Sequence, residues 1–260
     1  MKTDADRSFG GVARLYGRDG LERLRASHVC VIGIGGVGSW AAEALARSGT
    51  GRLTLIDLDE ICETNLNRQV HALAGTVGQA KVNVMAERIR AINPACEVSA
   101  RQGFFTAANA DAILGEGFDH VVDAIDNVPN KCLLLARCRD LRIPVITAGA
   151  AGGRRDPGRV QTADLSRAIH DTLLARVRKI LRRDFGFPRE RRWKFKIDCV
   201  FSPEPTVYPQ TDGSVCASKD PDSELRLDCD SGFGTAAFVT GAFGFALAAG
   251  VVNRIAKGKA

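Results

Sequence analysis

The residues best suited to chemistry begin with Gly33, Gly35, Gly36 and Gly38, in the run Gly33-Ile34-Gly35-Gly36-Val37-Gly38 between an apolar β-branched segment and a helical one. Backbone N–H groups at such a turn, with the positive end of a helix behind them, suit a phosphate, and glycine leaves room for its approach. Alone the pattern is weak, because glycines fill many strand-to-helix turns for packing reasons. Asp57 stands roughly 20 residues further on, where an acid at the end of the next strand accepts hydrogen bonds from ribose hydroxyls. To this point a nicotinamide dehydrogenase fits equally well.

The residues after Asp57 count against hydride transfer. Asp57-Leu58-Asp59 leads into the polar loop Thr64-Asn65-Leu66-Asn67-Arg68-Gln69, and Gly78-Gln79-Ala80-Lys81 opens the next helix with a lysine. Arg68 and Lys81 would bring two cations to a triphosphate resting on the glycine turn, which suits departure of pyrophosphate. Asp123-Ala124-Ile125-Asp126-Asn127 then sets carboxylates at the C-terminal end of a strand, the edge where open sheets bind ligands. One of them is well placed to hold magnesium. Asp123 either shares that ion or closes off the strand end. His71 is read as a packing residue, outside the catalytic set.

Those residues need a frame. Segments 28–34, 53–58, 118–125 and 144–148 read as buried strands, 98–100 as a short strand, and 39–47, 82–92 and 131–141 as helices between them. The alternation predicts an α/β, Rossmann-like fold with a mainly parallel sheet and helices on both faces. Residues 1–25 read as an N-terminal arm, 26–150 as an ATP-binding core and 151–260 as a C-terminal α+β extension. In the extension Asp164 is expected to cap a basic helix running to Asp184, with short strands at 195–201 and near Val207. Residues 232–252 carry no charge, long enough to cross a bilayer, but five glycines weaken insertion. A helix buried against the sheet is the expectation, membrane contact the alternative.

Charge is concentrated. Residues 154–196 hold 14 Lys/Arg against five Asp/Glu, whereas the other residues hold 22 against 25. Such a segment is either a solvated helix face or the docking surface for a polyanion such as RNA. The mixed-charge opening at Met1 to Arg7 has no apolar run, so a cytoplasmic location is expected. None of the eight cysteines forms a CxxC pair, which disfavours zinc and suggests mostly buried free thiols.

The glycine turn, the Asp57 to Asp59 segment, the Asn65 to Gln69 loop, Gly78 to Lys81 and Asp123 to Asn127 together resemble the adenylation core of the ubiquitin-activating, ThiF and MoeB group. The resemblance implies ATP and magnesium as cofactors. It implies Asp57 at the ribose, Asn65, Arg68 and Gln69 around the phosphates, Lys81 on the phosphate chain and Asp126 at the metal, with the glycines and Asp59 completing the nucleotide site. Further segments look like the branch that dehydrates threonylcarbamoyladenosine in tRNA. They are 10–17, Asp198-Cys199-Val200-Phe201-Ser202, 208–213 and Cys229-Asp230-Ser231-Gly232-Phe233-Gly234.

What that branch implies is activation of the threonine carboxylate as an acyl-adenylate, then ring closure with loss of AMP. It also implies tRNA as partner and a homodimer in which an N-terminal arginine, with Arg14 favoured over Arg7 and Arg18, reaches the neighbouring triphosphate. The alternatives are an activator of a ubiquitin-like sulfur carrier and a non-enzymatic scaffold fed by a cysteine desulfurase's sulfur-acceptor protein. For those, Cys199 or Cys229 would carry a thioester or sulfur, and burial is the preferred reading of both.

Overall fold

The apolar runs fold as strands because each is buried from both sides. The computed structural model describes residues 8–190, 192–218 and 233–258. In chain order the elements are α1 (Gly10–Ala26), β1 (His28–Ile32), α2 (Gly38–Arg47), β2 (Arg52–Asp57), α3 (Lys81–Ile92), β3 (Glu97–Gln102), α4 (Ala110–Leu114) and β4 (His120–Asp123). There follow α5 (Val128–Asp140), β5 (Val145–Ala148), β6 (Gln161–Asp164), α6 (Thr172–Asp184), β7 (Asp198–Phe201), β8 (Tyr208–Pro209), β9 (Val215–Cys216) and α7 (Ala237–Lys257). Seven strands form one sheet in the order β3-β2-β1-β4-β5-β7-β6, parallel except where β6 runs antiparallel to β7.

Side chains alternate across the sheet. Val29 and Val31 of β1 face α2, α3 and α7, joining Leu45, Met85, Phe243 and Leu247 in one core. Cys30 and Ile32 face the other way, into a second core with α4, α5 and α6 through Ile113, Leu135 and Val177. Coverage of both faces makes the inner strands β1, β2, β4 and β5 near-continuous apolar runs, as in other parallel sheets, whereas the edge strands β3 and β6 are not.

Four local expectations are corrected. The N-terminal arm contains a helix, α1, bent at Gly17, where φ is 78°. It forms despite its glycines because Leu21 and Leu24 bury against the core, contributing about 1.5–3 kcal/mol each. Tyr16 Oη and Arg23 Nε also bond to α7, at Asn253 Oδ1 (3.2 Å) and the Ala256 carbonyl (3.0 Å). Asp164 caps only the short turn Leu165–Arg167, and α6 starts from Asp171, whose carboxylate accepts the Leu174 N–H. Residues 161–164 form an unforeseen edge strand. The apolar C-terminal helix is displaced, to Ala237–Lys257, with Val239, Phe243, Leu247 and Val251 buried and Phe238 and Phe245 exposed.

Candidate active site

Where β1 ends, the chain turns sharply under constraint from two sides. Gly33 has φ 91°, and a Cβ there would lie 2.7 Å from the Ala124 carbonyl oxygen. Gly38 opens α2, and a Cβ there would lie 1.8 Å from the Gly33 carbonyl oxygen. These two glycines shape the turn. Gly35 has no neighbour within 4 Å of its Cβ position, so it faces open space. No side chain caps α2; the Ser39 N–H bonds to the Gly35 carbonyl at 3.1 Å, and the N–H groups of Gly38 and Trp40 are left for an anion.

Asp57 locks this turn to β2. Its Oδ2 accepts the Ile34 N–H at 2.5 Å and its Oδ1 the Asp59 N–H at 2.9 Å. Burial pushes its carboxyl up, and those two N–H donors hold it back. Lys81, almost buried at the start of α3, reaches back with Nζ 2.8 Å from Asp59 Oδ2, while the Asp59 side chain stays 58% exposed. The ammonium is therefore aimed at the edge carrying the turn.

The loop before α3 covers the glycines. The Arg68 stem packs at 3.4 Å from the Gly36 Cβ position, and Nη1 donates to the Thr64 carbonyl at 2.5 Å and to Asn67 Oδ1 at 3.0 Å. Its carbonyl is held by Trp40 Nε1 at 3.0 Å. Asn65 is buried and accepts the Cys62 N–H at 3.2 Å, closing the turn that presents Arg68. Gln69 is buried, and its Oε1 has no partner among the described residues. His71 is also shut in. Burial, then Lys81 and Arg88, lowers its pKa to about 4, so the ring is neutral near pH 7.

The two acids at the end of β4 and just after it separate cleanly. Asp123 is wholly buried and pairs with the buried Lys131 at 3.0 Å, so it is not available to a metal. Asp126 is exposed, beside Asn127, which caps α5. Among the described residues no three His, Cys, Asp or Glu side chains gather as a metal cage. A single carboxylate fits magnesium, which takes one or two protein oxygens and draws the rest from phosphates and water. Lys131 escaped the sequence reading; the available signal was a lysine next to Cys132, Leu134 and Leu135 on a core-facing helix.

Outside this edge, Arg14 is exposed on α1 and has no acidic partner among the described residues. On α6, Leu174, Val177 and Leu181 face the core, while Arg178, Lys179, Arg182 and Arg183, with Arg189 beyond the helix, line a shallow surface basin. Cys199 is buried and its thiol is pushed up to about 12, chiefly by burial, which removes it as a nucleophile. Five of the seven described cysteines are buried, as expected of most of them, while Cys62 and Cys216 are exposed and Cys229 lies outside the described residues.

Comparison with known proteins bears on this geometry. The tRNA threonylcarbamoyladenosine dehydratase of Escherichia coli (strain K12) is 52% identical over 238 residues, 91% of this chain and 89% of that protein. The Haemophilus influenzae enzyme of the same name is 49% identical over 255 residues, 98% of this chain and 95% of its own length. The E. coli dehydratase solved in complex with ATP superposes with a TM-score of 0.87 at 45% identity, covering 98% of this chain and 96% of that one. A structure named TcdA (CsdL) reaches 0.90 at 48% identity with the same coverage. The model of the ThiF family matches residues 9–259, both sides of the glycine turn and all the elements around it, and this chain belongs to that family.

Proposed function

We propose that this chain dehydrates threonylcarbamoyladenosine in tRNA at the expense of ATP. The observation that carries the proposal is the relationship, over nearly the full length of both chains, to dehydratases of that name. The glycine turn, Asp59 with its partner Lys81, and Asp126 follow the C-terminal ends of the neighbouring strands β1, β2 and β4, which supports it.

The chemistry follows from leaving groups. A carboxylate oxygen leaves poorly and AMP leaves well, so the threonine carboxylate attacks the α-phosphorus and pyrophosphate departs. An atom of the carbamoyl group then closes on the activated carbonyl, and the AMP that leaves carries away the carboxylate oxygen. Intramolecular attack benefits from high effective concentration. The glycine turn and α2 hold phosphate oxygens, Asp57 the ribose, and Arg68 and Lys81 oppose charge developing on the departing pyrophosphate. Asp126 would hold magnesium, which when bound adds positive charge against the phosphates.

The test is nucleoside mass spectrometry of tRNA bearing threonylcarbamoyladenosine after incubation with the protein, ATP and magnesium. The nucleoside should lose the mass of one water, and an unchanged mass rejects the assignment. The same tRNA tests α6 as its backbone contact, since Asp171 places the start of α6 against the Ala150 N–H at the ligand edge and the basic side chains continue away from it. Reversing Arg178, Arg182 and Arg183 to Glu should weaken binding and flatten its salt dependence. Affinity unchanged at low salt would mean that α6 is only a solvated face.

We further propose a cytoplasmic homodimer in which Arg14 reaches the partner's triphosphate. Its exposure and lack of an acidic partner support this, and guanidinium geometry suits phosphate oxygens. Mixing inactive Arg14→Ala with inactive Asp126→Ala subunits should restore one site in each mixed dimer. Heterodimers that form and stay inactive would exclude the arrangement.

A further inference from the structure

We infer that Lys131 is a positioning residue for Asp126, fixing how that carboxylate is offered to a metal-bound nucleotide; the inference rests on the reading of Asp126 as the magnesium ligand. Lys131 and Asp123 both have 0% side-chain exposure. Burying such a pair is seldom better for stability than apolar packing, and breaking it leaves an uncompensated charge. On a helix face already lined by Cys132, Leu134 and Leu135, an apolar side chain would serve packing alone.

The pair acts on one residue of backbone. Asp123 Oδ1 accepts the Ile125 N–H at 3.0 Å, and Lys131 Nζ donates to the Ile125 carbonyl at 2.8 Å. Both peptide groups flanking Ile125 are thus held, including the one that leads into Asp126. Thr147 Oγ1 donates to Asp123 Oδ2 at 2.7 Å, anchoring the clamp to β5. On the far side, Asn127 Oδ1 accepts the Asn130 N–H at 3.1 Å. Asp126 therefore stands between two tethered neighbours and has no hydrogen-bond or ion-pair partner of its own among the described residues. The clamp also reaches the phosphate turn, because a Cβ on Gly33 would lie 3.2 Å from the Ile125 nitrogen. Residues outside a metal's direct ligands commonly set its affinity by orienting the ligand.

The test is calorimetric titration of the full chain with ATP, with and without magnesium, and needs no tRNA. The variant is Lys131→Met combined with Asp123→Asn, which removes the charges together and leaves no lone buried ion. We expect cooperative unfolding, AMP affinity and magnesium-free ATP affinity to be kept, while the gain in ATP affinity from magnesium falls by roughly tenfold or more. A merely structural role would lower both ATP affinities together. Asp126→Ala is the control. If it loses the magnesium gain and the double variant keeps it, positioning by Lys131 is overturned and the magnesium reading stands. If Asp126→Ala itself keeps the gain, both fall. Should the double variant not fold, Thr147→Val decides: loosening Asp123 by one hydrogen bond should cost about threefold in the same gain, and no change overturns the inference.

Discussion

Lys81→Ala should reduce pyrophosphate release by about two to three orders of magnitude, the usual effect of removing one preorganised electrostatic contact from a developing charge. The fold should survive. The partner left behind, Asp59, is 58% exposed, so losing the ion pair strands no buried charge. Because the ammonium is asked to act on charge that grows as pyrophosphate departs, kcat and kcat/KM for ATP should fall together while KM changes little. Asp126→Ala should give a comparable loss by another route, since its carboxylate is expected to hold magnesium. Extra magnesium should recover part of the Asp126→Ala activity and none of the Lys81→Ala activity. Steady-state pyrophosphate release across a magnesium series separates them, and ordinary turnover in either variant removes that residue from the site.

The sheet edge that carries the glycine turn was legible in the sequence because its physics is local. A buried parallel strand needs apolar residues on both faces, and 28–32 and 120–122 have them. Glycines at the turn and an acid at the next strand end have a fixed spacing that survives as pattern. What was not legible depends on residues far apart. Helix α1 contains four glycines and no clear period, and it holds through contacts with α7 more than 230 residues away. Strand β6 has little apolar content, and only pairing with β7 makes it a strand. Asp164 and Asp171 both cap, so composition could not say which one begins the long helix; His170, at φ 53°, interrupts the chain between them. Lys131 is the sharpest case. The apolar residues around it mark a core-facing helix, but the reason that this lysine is turned inward lies in an acid on β4 and a carbonyl after it.

Two single-methyl changes in the same turn should fail in opposite ways. In Gly38→Ala the new Cβ would stand 1.8 Å from the Gly33 carbonyl oxygen and 3.2 Å from Ala124 Cβ, so β1, α2 and the loop before Asp126 must separate. Strain of that kind destabilises the whole domain, and nucleotide binding is lost because the turn no longer exists. Gly35→Ala meets no atom within 4 Å, and Gly35 is not among the residues with positive φ, so the free protein should unfold at nearly its usual temperature. Its methyl group instead occupies the space assigned to a phosphate. ATP and AMP affinity should fall by at least about 100-fold, a steric cost of ~3 kcal/mol or more, because the phosphate can no longer approach the α2 N–H groups. Thermal unfolding with and without ATP reads both effects in one experiment. A Gly35→Ala protein that ATP stabilises as strongly as the unaltered chain would show that the phosphates do not lie over Gly35, and the nucleotide would have to be placed elsewhere on this edge.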